Sequence, residues 1–352
     1  EARIPRFNML ARHQQLEKGG VYKRAPKHLQ KISYFTMLSA RVRIVTYSAK
    51  TMAKSLTIAV RYAAFRRQGF DPSSNSGQKD EVAILDLPDD ITDVTVVERT
   101  LREVRPEAIY HLAALSHVGS SWSDPSEVLR VNVIGSAVTF AVAREVVPTA
   151  TTLLVSSAEV YGTVRPEQLP LDESAAPAPM SPYAASKLAA EVLAQQAVRA
   201  FGQRIVIARP FNHVGPGQSP NFFVPAMASR MVAAVREGRG EIPVGNLTSR
   251  RDFLDVRDVV AAYRLLIERG VSGEVYNIAS GVDRSMSDIA HDIRALIDSS
   301  LIFVTDESLM RPVDVPVLRG DSQKINAATG WSPRCSWNET LADIVASARA
   351  AN

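Results

Sequence analysis

Short apolar runs alternate with helical patterns along much of this chain, and this alternation limits the possible folds more than any other feature. Runs of strand length occupy 82–87, 107–114, 152–157 and 204–209, and helical patterns that include 128–147 and 183–200 separate them. Strands that alternate with helices predict a parallel sheet with helices on both faces. Ligands bind such sheets beyond the carboxyl ends of the strands. The tips at 111–114, 156–157 and 209–212 are therefore expected to meet at one edge.

The helix predicted over 183–200 begins with a tyrosine and a lysine four residues apart. Tyr183 and Lys187 lie in the run Ser181-Pro-Tyr-Ala-Ala-Ser-Lys187, and residues four apart share one face of a helix. The ammonium of Lys187 is expected to lower the pKa of the Tyr183 phenol, which makes Tyr183 a candidate general acid or base. An isolated Tyr-x-x-x-Lys spacing is common on helices, so the nearby strand tip at 156–157 is needed to support this interpretation.

Charge divides the chain into two unlike parts. Of the 41 Lys and Arg and the 37 Asp and Glu, residues 1–80 hold 16 and 4, which leaves 25 and 33 for the rest. A basic arm can bind nucleic acid, but these charges are spread along a helical pattern over 32–68. We expect neither nucleic acid nor a membrane as a partner, since no apolar run reaches membrane-spanning length. The single cysteine, Cys335, excludes a disulfide framework and a cysteine metal site, so no metal is expected and a cytoplasmic location is favoured.

The N-terminal residues have a pattern of their own. The run Ile4-Pro-Arg-Phe-Asn-Met-Leu and the helical pattern that ends in Arg66-Arg67-Gln68 resemble the acyl-CoA oxidase family over residues 1–87. In that family the corresponding Arg-Arg-Gln lies near FAD. The rest of the flavin domain and the later helices that supply the catalytic carboxylate have no counterpart here. We therefore expect no FAD and interpret 1–87 as a mainly helical structural segment.

Five motifs from residue 90 onward resemble the extended short-chain dehydrogenase/reductase superfamily in order and spacing. They are Asp90-Ile-Thr-Asp93, Leu112-Ala-Ala114, the helix residue Asn132, Ser157 in Val-Ser-Ser-Ala-Glu-Val-Tyr-Gly162, and Tyr183 with Lys187. Over about 88–345 the resemblance implies an α/β fold, with a Rossmann-like doubly wound parallel sheet and a small C-terminal α/β substrate domain. The N-terminal part of the Rossmann domain would be replaced by the helical segment. The implied domains are 1–87, 88–210 and 211–352, the last returning in part to the Rossmann sheet.

The same resemblance implies hydride transfer with NADPH or NADH, in which the cofactor carries the hydride. Tyr183 would exchange a proton with a sugar oxygen, Lys187 would bond the nicotinamide ribose, and Ser157 would hydrogen-bond the sugar oxygen. The residues that it implies for cofactor binding are Asp90, Ile91, Leu112, Ala113, Ala114, Asn132, Val155, Tyr183, Lys187 and Arg209.

The substrate side resembles the GDP-6-deoxy-D-mannose reductase branch. The matching runs are Ala208-Arg-Pro-Phe-Asn-His-Val-Gly-Pro-Gly-Gln-Ser-Pro220, Phe223-Val-Pro-Ala, Val244-Gly-Asn-Leu, Arg251-Asp-Phe-Leu-Asp-Val-Arg-Asp258 and Arg311-Pro-Val-Asp-Val-Pro316. This resemblance implies reduction of the 4-keto group of GDP-4-keto-6-deoxymannose to give GDP-rhamnose, by a homodimer paired through the helices at 128–147 and 183–200. The residues that it assigns to the GDP-sugar are Asn212, Val224, Asn246, Arg251 and Arg311, and arginine forks suit a diphosphate.

Glu159 keeps other functions open. Related 4,6-dehydratases use a glutamate at this place to remove a proton from C5 of the sugar, so Glu159 is a fourth catalytic candidate. A GDP-mannose 4,6-dehydratase, or another nucleotide-sugar dehydratase or epimerase, is therefore the alternative function. The loop Gly215-Pro-Gly-Gln-Ser-Pro220 is more like the reductase. A non-catalytic, reductase-like binding module is a further alternative.

The glycine-rich turn of this superfamily has no counterpart in the sequence. That Gly-x-x-Gly-x-x-Gly turn lets the backbone approach the pyrophosphate of the cofactor. The nearest run that can be aligned has Tyr47, Lys50 and Ala53 in place of the three glycines. The resemblance changes family near 82–90, which indicates a chimera that lacks the first strands of the cofactor domain. We expect weak or absent NAD(P) binding and marginal stability.

Overall fold

The computed structural model describes residues 15–16, 22–23, 90–309 and 315–351. The chain divides into two compact units, Glu1–Leu56 and Thr57–Asn352. In the first unit, two short strands, β1 (Gln15–Leu16) and β2 (Tyr22–Lys23), pair in the antiparallel direction. The predicted helix at 32–68, the predicted strand at 82–87 and the domain boundary at 87/88 lie outside the described residues, so they stay predictions.

Four parallel strands form the central sheet of the second unit, in the order β3, β4, β5, β9. Their bounds are Ala108–His111 for β3, Thr151–Val155 for β4, Ile205–Pro210 for β5 and Val275–Ile278 for β9. In this register Ile109 pairs with Thr152, and Leu153 pairs with Val206. The predicted α/β class and the parallel sheet are confirmed. The position of β9 shows that the chain returns to this sheet from its C-terminal part.

The second unit contains ten α-helices within the described residues, some on the faces of this sheet and others in the C-terminal part. They are α1 (Val94–Val104), α2 (Val118–Ser121), α3 (Pro125–Leu129), α4 (Gly135–Val146), α5 (Pro182–Phe201), α6 (Phe223–Arg236), α7 (Val256–Arg269), α8 (Met286–Ile297), α9 (Gln323–Thr329) and α10 (Trp337–Ala351). A π-helical turn, Arg130–Ile134, joins α3 to α4, and a 3₁₀ segment, Ala158–Tyr161, follows β4.

The two faces of the sheet have separate apolar cores because side chains alternate along a strand. On β4, Leu154 packs with Phe140 of α4 and Ala194 of α5, whereas the next residue back, Leu153, packs with Leu266 of α7 on the other face. All of these side chains are buried. The helix pair α4 and α5 therefore lies on one face of the sheet, and α7 lies on the other.

A second group of elements carries most of the residues after Phe211. At its centre β8 (Arg250–Asp255) pairs in parallel with β6 (Asn212–Val214) and β12 (Val317–Leu318), and in the antiparallel direction with β10 (Asp283–Ser285). A separate parallel pair consists of β7 (Glu241–Val244) and β11 (Ile302–Thr305). The helices α6, α8 and α10 close one core, which includes Met227, Ile289 and Ile344.

The expectation that no apolar run reaches membrane-spanning length is wrong for one helical stretch within the described residues, since Pro125–Val146 has the length and apolarity of a membrane span. Half of its most apolar window is buried inside the protein, where α4 packs against α1 and α5. Its composition therefore fits a core helix of the α/β unit.

Candidate active site

The predicted catalytic residues meet at the carboxyl end of β4. Ser157 lies two residues after this strand and caps the 3₁₀ segment, where its side chain accepts a hydrogen bond from the Glu159 N–H at 3.2 Å. Tyr183 and Lys187 lie in the first two turns of α5, because the hydroxyl of Ser181 caps that helix by accepting from the Ala184 N–H at 3.1 Å. The helix therefore begins beside the strand end, as the alternating pattern predicts.

Lys187 is anchored to the end of β4. Its side chain is buried, and Nζ donates a hydrogen bond to the carbonyl oxygen of Val155 at 2.8 Å. Nζ lies 6.0 Å from the centroid of the Tyr183 ring. Burial lowers the pKa of Lys187 to about 8, although the nearby carboxylate of Glu191 acts in the opposite direction. At neutral pH most of the Lys187 side chains are still charged.

The pKa of Tyr183 differs from the expectation. Burial raises the pKa of this phenol to about 12, a hydrogen bond with Ser157 acts against that rise, and the charge of Glu159 adds to it. The pKa of Tyr183 is therefore raised and not lowered as the sequence predicts, because loss of solvent around the phenol is the largest effect. Tyr183 is therefore protonated at neutral pH, and it can donate a proton to a developing oxyanion.

Asn132 ties the segment after β3 to the catalytic helix. In the π-helical turn its Oδ1 accepts from the Leu115 N–H at 2.8 Å, and its Nδ2 donates to the Leu115 carbonyl oxygen at 3.2 Å and to Ser186 Oγ at 2.8 Å. The residue is 2% exposed, so its amide is used within the protein. Asn132 thus positions the predicted cofactor segment Leu112–Ala114 against α5.

His111 is a buried group near this site that the sequence did not single out. Its Nε2 lies 2.9 Å from Ser136 Oγ, and that hydroxyl donates to the carbonyl oxygen of Asn132 at 2.6 Å. The only hydroxyl proton is used there, so Nε2 of His111 must be the donor to Ser136. Burial lowers the pKa of His111 to about 3, and the charge of Lys187 adds to this effect. His111 is therefore neutral beside Lys187.

The remaining predicted cofactor residues lie in different surroundings. Asp90 forms an ion pair with Arg130 and accepts from the Thr92 N–H at 3.0 Å. These bonds lower the pKa of Asp90, and the hydrogen bond from the Thr92 backbone has the largest effect. Ile91 packs against Gly135, where an added Cβ would meet the isoleucine side chain at 2.6 Å.

Arg209 requires a correction. It was assigned to the cofactor, but its guanidinium is 5% exposed and pairs with Glu191 at 2.7 Å. A buried charge that is already paired in this way is not available to a cofactor phosphate. Val155 was also predicted to contact the cofactor. In the structure its carbonyl oxygen accepts a hydrogen bond from Lys187.

The predicted substrate residues lie in the C-terminal body. Asn212 begins β6 and is half-buried, and Asn246 accepts a hydrogen bond from the Thr248 N–H at 2.9 Å. Nη1 of Arg251 donates to the carbonyl oxygens of Val315 and Arg250 at 2.5 and 2.9 Å.

Two further substrate assignments have different outcomes. Val224 requires a correction, because its side chain is 1% exposed and packs in the core closed by α6, so it stabilises this body. Arg311 lies outside the described residues, and its role stays a prediction.

The nicotinamide end of a dinucleotide fits the described residues. Lys187 uses one of its three donors on Val155, which leaves two for other acceptors. The Tyr183 hydroxyl is still protonated at neutral pH. Any counterpart of the pyrophosphate-binding turn falls before residue 90, outside the described residues.

A doubly wound parallel sheet, with Ser157 and a Tyr-x-x-x-Lys pair at the carboxyl end of its strands, defines the class of extended short-chain dehydrogenases/reductases. The family described as GDP-mannose 4,6 dehydratase matches residues 53–344, and the chain belongs to it. That match begins within the segment 1–87.

The relatives support the same assignment. The chain is 36% identical over 242 residues to a GDP-6-deoxy-D-mannose reductase of Pseudomonas aeruginosa, which is 68% of this chain and 79% of the relative. It is 28% identical over 330 residues to a dTDP-glucose 4,6-dehydratase of Xanthomonas campestris pv. campestris, which is 88% and 86% of the two chains. The predicted resemblance to the superfamily and to its GDP-6-deoxy-D-mannose reductase branch is confirmed.

Solved structures resemble this fold closely. The structure of RMD from Pseudomonas aeruginosa complexed with NADPH matches with a TM-score of 0.72 and 32% identity, over 79% of this chain and 93% of that chain. A UDP-glucose 4-epimerase with UDP-glucose from Thermotoga maritima matches with a TM-score of 0.69 and 28% identity, over 75% and 84% of the two chains.

Proposed function

We propose that this protein is an NAD(P)-dependent oxidoreductase that reduces the 4-keto group of a GDP-6-deoxyhexose. The specific reaction is the conversion of GDP-4-keto-6-deoxymannose to GDP-rhamnose. The observation that carries this proposal is the meeting of Ser157, a protonated Tyr183 and a charged Lys187 at one strand end. The 36% identity to a GDP-6-deoxy-D-mannose reductase supports the choice of substrate.

The described residues can supply the proton that this reaction needs. NADPH or NADH, when bound, supplies a hydride to the carbonyl carbon. Ser157 hydrogen-bonds the carbonyl oxygen, and Tyr183 donates its proton to that oxygen because an alkoxide is a stronger base than a phenolate. Lys187, held by the Val155 carbonyl oxygen, stabilises the phenolate that remains. Lys187 and Tyr183 would also hold the nicotinamide ribose.

The reaction is tested with the purified chain and GDP-4-keto-6-deoxymannose at several NADPH concentrations. We expect loss of NADPH absorbance at 340 nm together with a product two mass units heavier than the substrate, from one hydride and one proton. Tyr183→Phe, which removes the proton donor and keeps the ring, should lower kcat by about 100-fold or more. Equal rates for the parent and Tyr183→Phe would rule out the assigned acid.

A dehydratase is the second candidate, and Glu159 is the observation that favours it. Glu159 lies in the 3₁₀ segment after Ser157, close enough to Tyr183 for its charge to raise the pKa of that phenol. NAD, when bound, would oxidise C4 of GDP-mannose to a ketone, and the carboxylate of Glu159 would then remove the acidified C5 proton of that 4-keto sugar. The test is incubation with GDP-mannose and NAD, followed by mass spectrometry for loss of water, with Glu159→Gln as the control.

The alternative of a non-catalytic binding module predicts a different set of results in these experiments. A reductase-like binding module would bind GDP in calorimetry, and it would neither oxidise NADPH with the keto sugar nor dehydrate GDP-mannose.

We also propose a homodimer, paired through α4, α5 and the π-helical turn between α3 and α4. Four large apolar side chains are 45–54% exposed here: Leu129 at the end of α3, Ile134 at the end of the π-helical turn, and Val192 and Phe201 on α5. Such a set of exposed apolar side chains is suited to a second copy of the chain. Light scattering should give twice the chain mass for the parent, and Ile134→Lys should shift the measured mass towards that of the monomer.

We place the protein in the cytoplasm, with no nucleic acid or membrane as a partner.

A further inference from the structure

Glu191 and Arg209 form a buried ion pair next to the proposed catalytic residues. Glu191 lies one turn after Lys187 on α5, and Arg209 lies near the end of β5. Nε and Nη2 of Arg209 donate to the two oxygens of Glu191 at 2.9 and 2.7 Å, and the side chains are 5% and 3% exposed. Buried ion pairs are often no more stabilising than apolar residues of the same size. Stability alone therefore does not explain this pair.

The pair contacts both ends of the turn that carries Ser157. At one end, the hydroxyl of Ser156 donates to Glu191 Oε1. At the other end, the guanidinium of Arg209 lies 4.9 Å from the centroid of the Tyr161 ring, a distance at which a cation and an aromatic face attract each other. The turn that carries Ser157 is thus fixed against α5 through Glu191 and Arg209.

The same carboxylate also acts on Lys187. Burial lowers the pKa of Lys187 to about 8, and the charge of Glu191 opposes that change. Tyr183 on α5 and the neutral His111 at the end of β3 also lie near Lys187, and the charge of Glu159 acts on Tyr183. The negative charge that acts on Lys187 itself is that of Glu191, one turn further along the same helix.

We propose that Glu191 and Arg209 are positioning residues, which hold the Ser157 turn against the helix of Tyr183 and Lys187 and keep Lys187 positively charged. This inference rests on the proposed reductase function, because it assigns these residues to that reaction. The sequence contains a signal for it, since Tyr183, Lys187 and Glu191 follow each other at intervals of four on one helix face.

The first measurement needs neither cofactor nor substrate. In protein labelled with ¹³C-lysine, the Cε signal of Lys187 reports the loss of its proton, and Lys187→Arg assigns the signal. Glu191→Gln keeps the side-chain shape and an oxygen that can accept from Ser156, but it removes the charge. We expect the midpoint for Lys187 to move to lower pH in Glu191→Gln.

The matched control is Asp255→Asn. Asp255 is also a buried carboxylate paired with an arginine, Arg257, at 2.7 Å, but it does not act on Lys187. This variant should leave the Lys187 midpoint unchanged. An unchanged midpoint in folded Glu191→Gln would overturn the electrostatic part of the proposal, whether or not the chain proves to be a reductase.

Kinetics test the positioning part. Glu191→Gln should lower kcat by about 100-fold, with little change in KM for the GDP-sugar, because small displacements of catalytic groups are costly. Ser156→Ala, which removes only the bond to the turn, should lower kcat by about tenfold and leave the Lys187 midpoint in place. A loss of kcat no larger than that of Asp255→Asn in both variants would overturn this part.

Discussion

Lys187 sets the upper pH limit of the proposed reaction. Burial lowers its pKa to about 8 and raises the pKa of Tyr183 to about 12. Above about pH 8 the ammonium is lost while Tyr183 still carries its proton, so the phenolate that follows proton transfer is no longer stabilised. We expect kcat to fall about tenfold per pH unit above that point. A pH profile of kcat at saturating substrate measures this.

Lys187→Arg is the control for that profile. An arginine keeps its charge over the whole range, so the fall near pH 8 should disappear even if the rate is lower. A fall that remained at the same pH in Lys187→Arg would assign the titration to another group.

His111 makes the fold sensitive to acid. Burial lowers its pKa to about 3 from a usual value of 6.5. Between these values the unfolded chain binds a proton that the folded chain rejects, so stability falls as the pH drops from about 6.5 towards 3, by about 1.4 kcal/mol per pH unit. Urea unfolding at a series of pH values measures the slope. His111→Gln should flatten it, whereas His291→Gln, at an exposed position, should not.

The residue types of the site could be predicted from the sequence, but their electrostatics could not. The spacing of Tyr183 and Lys187 and the strand end before Ser157 were enough to bring these three residues together. The pKa of Tyr183 depends on how completely the surrounding elements exclude water, which no local pattern contains. Arg209 and Val224 were assigned to ligands by resemblance, and the structure uses their side chains in the interior.

At the scale of elements, Gly162 allows the segment that carries Ser157 and Glu159 to close. Gly162 has φ +65°, and an added Cβ would lie 1.8 Å from the carbonyl oxygen of Ala178. We expect Gly162→Ala to lower the free energy of unfolding by about 3 kcal/mol or more, because the clash adds to the strain of a backbone with φ +65° and ψ −144°, a conformation that glycine adopts far more readily than other residues.

A second glycine shows the cost of a positive φ where there is no clash. Gly238 also has a positive φ, +68°, but nothing lies within 4 Å of an added Cβ. Gly238→Ala should therefore cost only the backbone strain, roughly 1–2 kcal/mol. Urea unfolding of both variants against the parent measures the difference, and equal losses would show that the contact with Ala178 is unimportant.

Local signals predicted some elements better than others. The helix expected over 183–200 is α5, Pro182–Phe201, because Ser181 and Gly202 cap it and both signals lie directly beside the helix in the sequence. The π-helical turn at Arg130–Ile134 was not predicted. This turn contains Asn132, whose hydrogen-bond partners Leu115 and Ser186 are distant in sequence. A local sequence pattern therefore could not predict the turn.

For the whole molecule, the regular alternation of strands and helices up to residue 209 predicted the parallel sheet of the second unit, whereas the C-terminal α/β body was implied only by the family resemblance. Less could be predicted for the N-terminal part. The resemblance suggested a change of family near residue 88, whereas the family match begins at residue 53 and the compact units divide between Leu56 and Thr57. Residues 57–87 thus resemble the acyl-CoA oxidase family in sequence, and they also lie within the match to the GDP-mannose 4,6 dehydratase family and within the second compact unit.

Cofactor affinity is the property of the whole molecule that this N-terminal part should decide. The four glycines before residue 90, at positions 19, 20, 69 and 77, do not have the spacing of the phosphate-binding turn. Without that turn the backbone cannot supply its N–H groups to a pyrophosphate in the usual way. The contacts predicted from residue 90 onward, those of Tyr183 and Lys187 among them, would have to hold the cofactor without that turn. We expect binding of NADPH to be weaker than micromolar, with correspondingly low reductase activity at ordinary cofactor concentrations.

Isothermal titration with NADPH measures this affinity, and a parallel titration with GDP serves as the control. GDP binding together with weak NADPH binding would show that the fold is intact and that the cofactor domain is deficient, since the proposed substrate residues lie in the C-terminal body. Micromolar affinity for NADPH would contradict the prediction. It would mean that residues before 90 bind the pyrophosphate without the glycine spacing, for example through their excess of Lys and Arg side chains.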